Sequence, residues 1–153
     1  MIDVPGEFFI QHRKLKIKRL DNNLPLPKKV YPTDAGIDLY SAVNRHICKG
    51  LIEKISTGIC IELPVGYYAE VVPRSGLASE YGITLVNSPA IIDNHFRGEI
   101  VLVVVGLIGC YDIKRGDRIA QLIIRKQYDF EIREVDELTA TDRGNKGLGS
   151  TGV

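Results

Sequence analysis

Residues 98–106 read GEIVLVVVG, and residues 117–127 read DRIAQLIIRKQ. Both runs are short, rich in Val and Ile, and adjoined by glycine, which is typical of β-strands. Outward from these two, apolar residues alternate with charged ones from Lys14 to Lys18, and Val-, Ile- or Tyr-rich runs recur at 46–62, 67–72, 83–86 and 130–135. The chain is therefore predicted to be built mainly from strands.

Glycine and proline separate these runs at close spacing, as at Pro64, Gly66, Pro73 and Gly82. This punctuation leaves little room for helices, and only residues 75–81, SGLASEY, are predicted to be helical. Many short strands with frequent turns indicate an all-β fold, a jelly-roll-like barrel or sandwich of antiparallel strands that cover one another's apolar faces.

The length and charge of the chain bound its class. At 153 residues it is expected to form one domain, and 20 Lys plus Arg against 19 Asp plus Glu give no electrostatic reason for a stable nucleic-acid or membrane partner. The most apolar run, 100–108, is too short to span a bilayer, and no secretory leader is recognised at the N-terminus. A cytoplasmic protein is predicted.

The cysteines, Cys48, Cys60 and Cys110, are odd in number and far apart. No second cysteine or histidine was recognised at metal-ligand spacing beside them, so neither a disulfide nor a zinc site is expected. This expectation agrees with a reducing compartment.

The end of the chain differs from the rest. Residues 139–153, TATDRGNKGLGSTGV, have almost no apolar content, so we expect a β core over 1–138 followed by a flexible arm. Within the arm, residues 147–152 have the make-up of a phosphate cradle, in which glycine lets backbone N–H groups approach oxygens. Taken alone, a terminus of this composition is more often plain disorder than a phosphate site.

Three further places carry candidate chemistry. Residues 73–78, PRSGLA, put an arginine and a serine at the start of the predicted helix, where an anion is favoured, although Ser75 is also a plain helix cap. Asp38 and Asp93 each lie beside apolar strand residues, where an ionised carboxylate needs a partner such as a metal or held water. Asp at a strand end is also a common turn residue.

Five segments in order resemble those of the trimeric dUTPase family: AGIDLYSA at 35–42, PRSGLA at 73–78, NSPAIIDNHFRGEI at 87–100, GDRIAQLI at 116–123 and DRGNKGLGSTG at 142–152. The resemblance implies a dUTPase-like (β-clip) fold and hydrolysis of dUTP to dUMP and pyrophosphate with Mg²⁺. It also implies a homotrimer whose active sites are shared between chains.

By this resemblance, Asp93 activates the water that attacks the α-phosphorus, and Asp38 contacts the metal through water. Arg74, Ser75 and Gln121 match positions that contact the phosphates or their metal-bound waters, and Gly76 allows close backbone approach.

The remaining matched residues concern the nucleoside and the arm. Asn87 and the backbone through Ile92 match the hairpin that reads the uracil edge, and Phe96 stands where the family usually has Tyr against the deoxyribose. Leu148 replaces the arm's usual Phe, which stacks on uracil. The matched phosphate-binding residues of the arm are Arg143, Gly149, Ser150 and Thr151.

Two other functions remain open. A dCTP deaminase, alone or bifunctional, shares the implied fold, but its chemistry needs a Glu at the position that aligns with Val103. An inactive trimer that binds nucleotides or a protein would not need the matched polar residues. The basic stretch 13–19 is interpreted as the solvated face of a strand rather than a nucleic-acid site.

Overall fold

The computed structural model describes residues 13–147. Within them lie ten strands and one helix: β1 Lys16–Arg19, β2 Gly36–Tyr40, β3 Arg45–Cys48, β4 Ile52–Glu62, β5 Tyr67–Pro73, α1 Ser75–Tyr81, β6 Ile83–Leu85, β7 Ala90–Ile92, β8 Glu99–Gly106, β9 Cys110–Ile113 and β10 Arg118–Lys126. The all-β prediction is confirmed, and the single predicted helix has the predicted bounds.

The strands form two four-stranded sheets and a two-stranded ribbon, with every strand pair antiparallel. One sheet has the order β1-β4-β8-β6, the other β2-β10-β5-β7, and the ribbon pairs β3 with β9. No helix among residues 13–147 is both long and apolar enough to cross a membrane.

Strand β8 shows how the sequence produces the core. Ile100, Leu102 and Val104 are almost fully buried, whereas Val101 between them is 44% exposed, as the period of two along a strand requires. Buried residues from both sheets join one apolar cluster. Each fully buried Leu or Ile contributes about 1.5–3 kcal/mol, so this shared core stabilises the packing of one sheet on the other.

Two strand predictions need correction. The run 46–62 is not continuous, because Gly50 adopts a left-handed φ of 79° and Leu51 N–H donates to Cys48 O in a turn between β3 and β4. The predicted strand at 130–135 is wrong. Phe130 and Ile132 are 79% and 97% exposed, and no described strand pairs with this segment.

The expectation of no disulfide is also wrong, since Cys48 and Cys110 are joined. They are directly opposite each other in the register of β3 and β9, and this pairing brings together sulfurs that are 62 residues apart in sequence. Cys60 is the free cysteine. The sequence separation alone contains no sign of this register.

Candidate active site

Asp38 on β2 is a nearly buried carboxylate held by two arginines. Its residue is 9% exposed, with Arg74 Nε 3.1 Å from Oδ1 and Arg118 Nη1 donating to Oδ2 at 3.2 Å. The Arg74 Nε–H is within ion-pair distance but lacks the alignment of a hydrogen bond, and it has no acceptor among the described residues. Two guanidinium groups thus surround this carboxylate and offer N–H donors suited to an anion, while the carboxylate of Asp34 lines the same cavity.

The sequence did not single out Arg118, and a β-bulge explains why. Strict alternation along β10 would put Arg118 and Gln121 on opposite faces of the sheet. The pairing of β10 with β2 shifts register between Arg118 and Ala120, so Arg118 is opposite Tyr40 while Gln121 is opposite Asp38. Both side chains therefore share the face of Asp38. A bulge is visible only in the pairing of two strands, so the periodicity of the β10 sequence could not predict it.

Gln121 lies close to Gly36 on the neighbouring strand. A Cβ built on Gly36 would lie 2.5 Å from Gln121 Oε1, so the absence of a side chain at 36 makes room for the amide. Gln121, Asp38, Arg74 and Arg118 line one cavity of about 350 Å³. Three of the residues predicted to contact phosphate or metal are therefore brought together.

Gly36→Ala is expected to lower kcat/KM about tenfold while changing the thermal midpoint little, because the added methyl displaces the flexible Gln121 side chain, with Oε1 at 2.5 Å and Cβ at 3.2 Å. Steady-state kinetics with differential scanning fluorimetry would measure both. Gln121→Ala is the matched variant and should lose a similar factor. A Gly36→Ala enzyme with wild-type kinetics would show that the amide position is unimportant.

Ser75 and Gly76 lie at the start of α1 and directly follow Arg74, which lines this cavity. Both are exposed. The alternative role of Ser75 as helix cap is wrong, since Arg74 is the N-cap residue and no side chain caps the helix. The Ser75 hydroxyl makes no hydrogen bond to the described residues and can donate to a ligand.

A second cluster lies on the turn that follows β7. Asp93 is exposed, and Phe96 N–H donates to Asp93 O at 3.1 Å, which closes the turn. Asn94 Nδ2 donates to Leu63 O at 2.7 Å and so fastens the turn to the core. A Cβ on Gly98 would lie 2.7 Å from Phe96 Cζ, so the ring packs against this glycine. The turn presents a carboxylate beside an aromatic face.

This turn and the hairpin before it enclose a cavity of about 310 Å³ with a mostly apolar lining. The lining includes Asn87, Ile92, Asp93 and Phe96, the four residues predicted for the base, the sugar and the attacking water. Such a pocket, apolar with a few polar groups, is the usual form of a small-molecule site. His95 is exposed beside it.

Asp93 and Arg74 lie at opposite ends of β5. Ile92 is paired with Ala69, which places Asp93 level with Tyr68, whereas Arg74 follows the other end of the strand. Six residues along a strand span about 20 Å. Asp93 and Arg74 of one chain are therefore too far apart to act on the same phosphate.

Arg143 is the first of the arm residues predicted to bind phosphate. It is exposed, and its Nε donates to Lys146 O at 3.0 Å. The other predicted arm residues, Leu148, Gly149, Ser150 and Thr151, lie outside the described residues.

The family model described as dUTPase matches residues 22–152. The deoxyuridine 5'-triphosphate nucleotidohydrolase of Corynebacterium jeikeium is 47% identical over 144 residues, covering 91% of this chain and 93% of that protein. The protein of the same name from Caldanaerobacter subterraneus subsp. tengcongensis is 48% identical, covering 91% and 97%.

Among solved structures, the dUTPase of Staphylococcus bacteriophage 80alpha with dUPNHPP is similar in fold. Its TM-score is 0.85 and its sequence identity 26%, with 93% of this chain and all of that chain covered. The similarity therefore extends over both clusters described above.

Proposed function

The chain belongs to the dUTPase family, and from this premise we propose that it is a homotrimeric dUTP diphosphatase. It hydrolyses dUTP to dUMP and pyrophosphate, with Asp93 activating the water and Mg²⁺ on the triphosphate. The observation that carries the proposal is the grouping of the matched residues into two cavities, with Asp93 and Arg74 at opposite ends of β5. We call them the phosphate cluster, Asp38, Arg74, Arg118 and Gln121, and the nucleoside cluster, Asn87, Ile92, Asp93 and Phe96.

The phosphate cluster supplies charge and orientation. Arg74 and Arg118 hold a local positive charge around Asp38, and the Gln121 amide and Ser75 hydroxyl add donors nearby. Phosphoryl transfer involves little covalent chemistry by the protein, so positioning and charge neutralisation supply most of the acceleration. We assign the triphosphate to this cavity.

The donor set at Asp38 fits Mg²⁺ as an outer-shell partner. Both carboxylate oxygens already face arginines, so a water-mediated contact suits Asp38 better than direct ligation. Mg²⁺ usually retains several waters and binds chiefly through substrate phosphates and one or two carboxylates. When bound, it neutralises charge on the phosphate oxygens.

At the nucleoside cluster, Asp93 accepts the proton of the attacking water. The carboxylate is exposed on a turn that hydrogen bonds fasten to the core, so it is positioned while remaining open to water. General-base assistance of this kind contributes about 10²–10⁴-fold.

The hairpin before Asp93 selects uracil in this proposal. Backbone and amide groups between Asn87 and Ile92 donate to O4 and accept from N3–H of the base. Cytosine reverses both contacts, and each buried polar group left unpaired costs about 1–3 kcal/mol. Phe96 packs on the deoxyribose and disfavours a 2′-hydroxyl.

A complete site then needs more than one chain. Asp93 of one chain approaches the phosphate cluster of another, because about 20 Å separates the two within a chain. Exposed apolar residues, including Phe130, Ile132 and Leu138, offer surface for such contacts. The site is completed by the arm residues that we assign to the γ-phosphate, Arg143, Gly149, Ser150 and Thr151.

Mixing two inactive variants tests the shared site. Asp93→Asn and Arg74→Ala homotrimers, each inactive, are unfolded together in equal amounts and refolded. If the site takes Asp93 from one chain and Arg74 from another, random assembly restores about a quarter of the sites. A mixture that stays as inactive as its parents would place both residues in one chain's site.

The arm carries a second testable feature in Leu148. Leu148→Phe is expected to lower KM for dUTP about two- to tenfold, because stacking of an aromatic ring on uracil adds about 0.5–1.5 kcal/mol. Leu148→Met, which changes the shape without adding a ring, is the control. A KM that does not respond to the ring would mean that the arm does not cover the base.

Measuring pyrophosphate release from dUTP, dCTP, dTTP and UTP tests the activity itself. We expect dUTP to be hydrolysed with strong preference. The deaminase alternative is tested by ammonia release from dCTP, and Val103 on β8 puts an apolar side chain where that reaction needs a carboxylate. An inactive binding trimer would release neither product.

A further inference from the structure

The ribbon of β3 and β9 has one apolar and one polar face. Ile47 and Ile113 are 0% and 1% exposed and belong to the core. On the other face, Cys48 is opposite Cys110 and His46 is opposite Asp112, since alternate residues of a strand point the same way. Four chemically active side chains therefore form a compact square on a ribbon that the core holds in place.

Three of these side chains offer metal-ligand atoms in close proximity. His46 Nε2 lies 3.2 Å from Cys48 Sγ, and the ligand atoms of His46, Cys48 and Cys110 all lie within 4.8 Å of one another. In a tetrahedral zinc site, with Zn–S about 2.3 Å and Zn–N about 2.0 Å, ligand atoms are about 3.5–3.8 Å apart. The three donors are thus already grouped on the scale of one coordination sphere.

Asp112 orients the histidine. Its Oδ1 lies 2.6 Å from His46 Nδ1, so a proton on Nδ1 leaves the Nε2 lone pair directed at the cysteines. A carboxylate bonded to the second ring nitrogen is the arrangement that fixes tautomer and ring orientation in zinc-binding histidines. This contact supplies a second feature of a metal site, beyond the three donors.

We propose that reduction of the Cys48–Cys110 disulfide turns this ribbon into a binding site for a divalent cation that prefers thiolate ligands, such as Zn²⁺. Cys48, Cys110 and His46 are the ligands, Asp112 is the orienting residue, and a water completes the fourth position. The site lies outside the cavities assigned to substrate. Its existence does not depend on dUTP hydrolysis.

The redox step requires a dithiol as reductant. One thiolate of the dithiol attacks a sulfur of the pair, the S–S bond breaks, and the resulting mixed disulfide is resolved by the second thiol. Two electrons pass to Cys48 and Cys110, and the reductant becomes a disulfide. Binding of the cation then displaces the protons of both thiols, so uptake releases two protons.

The structure also explains why sequence reasoning excluded zinc. His46 and Cys48 are only two residues apart, a spacing that places both on the same side of a strand, but the third ligand is 62 residues beyond Cys48. Only the register of β3 on β9 completes the set. The structure thus places a histidine beside both cysteines, which the sequence spacing did not indicate.

The experiment uses the full-length, untagged chain, oxidised or reduced anaerobically, in phosphate-free buffer. Thiol titration should find one reactive thiol in the oxidised chain, from Cys60, and three after reduction. Co²⁺ is then titrated while thiolate-to-cobalt charge-transfer absorption is followed, and Zn²⁺ is added to displace it. Oxygen ligands such as Asp38 give no such absorption, so the signal distinguishes this site from the substrate-side metal.

Reduced wild-type protein should bind one Co²⁺ per chain with thiolate absorption, and oxidised protein none. Cys48→Ser, Cys110→Ser and His46→Gln should each weaken binding at least tenfold, and Asp112→Asn about 10–100-fold. Cys60→Ser is the matched control, because Cys60 lies on β4 opposite Lys18 and Glu99 and should leave binding unchanged.

Absence of thiolate absorption in the reduced wild-type chain would overturn the proposal without any variant being made. Equal binding by Cys48→Ser and Cys60→Ser would do the same, because the ligands would then lie elsewhere. Neither result bears on dUTP hydrolysis, which is measured by pyrophosphate release.

Discussion

Asp93→Asn should lower the turnover of dUTP by about 10²–10⁴-fold, while the proposed trimer and its nucleotide binding persist. The amide keeps the size and shape of the carboxylate but cannot accept a proton from water. Asp93 is exposed on its turn, and the turn is held by backbone and Asn94 hydrogen bonds, so the fold does not depend on the charge. Pyrophosphate release and equilibrium binding of a non-hydrolysable analogue would measure the two effects separately.

The matched control is His95→Gln, which removes the other proton-accepting side chain of the same turn and should leave turnover near wild type. His95 is exposed and, unlike Asp93, does not line the cavity that contains Asn87 and Phe96. Pyrophosphate release by Asp93→Asn at the wild-type rate would remove Asp93 from the role of base. A large loss in His95→Gln alone would move that role to the histidine.

Deleting residues 142–153 should abolish activity, with kcat/KM reduced by at least 10²-fold, and leave the free energy of unfolding within about 0.5 kcal/mol of wild type. The described part of the deleted segment, 142–147, is exposed, and Arg143 Nε donates to Lys146 O within it. Thermal or urea unfolding with size-exclusion chromatography would report stability and assembly. A marked fall in melting temperature would show that the arm is part of the core.

A shorter deletion of 148–153 is the informative companion. It retains Arg143 while removing the glycine-rich end. Loss of activity in both deletions assigns the effect to residues 148–153, whereas loss only in the longer one assigns it to the segment that contains Arg143.

Sequence patterns were most accurate where local burial decides the structure. β8 and β10 were predicted within a residue or two of their bounds, because alternating burial imposes the period of a strand. Helix α1 was predicted at its observed bounds because Pro73 precedes it and Gly82, with a φ of 63°, ends it in the left-handed region. Both signals are contained in a few neighbouring residues.

The features that were missed depend on pairing between distant segments. Arg118 reaches Asp38 only because a bulge shifts β10 by one residue against β2. The Cys48–Cys110 bond depends on the register of β3 and β9 in the same way. Residues 130–135 have strand-like composition, but no described strand offers the hydrogen bonds that would make them one.

For the candidate site, the sequence indicated which residues belong to it but not how they are arranged. Asp38, Arg74 and Gln121 were recognised by resemblance, and the structure brings them into one cavity. Asn87, Ile92, Asp93 and Phe96 were recognised in the same way and share another. That Asp93 and Arg74 lie at opposite ends of β5 follows only from the register of β7.

This register has a kinetic consequence under the proposed assembly. Within one chain, the general base Asp93 lies about 20 Å from the phosphate-binding Arg74. A dissociated monomer is therefore expected to be inactive. Specific activity per chain should therefore fall on dilution below the assembly constant, and a diluted sample returned to high concentration should show a lag before reaching full rate. The amount of protein in the cell would then set the fraction of chains that can work as well as their number.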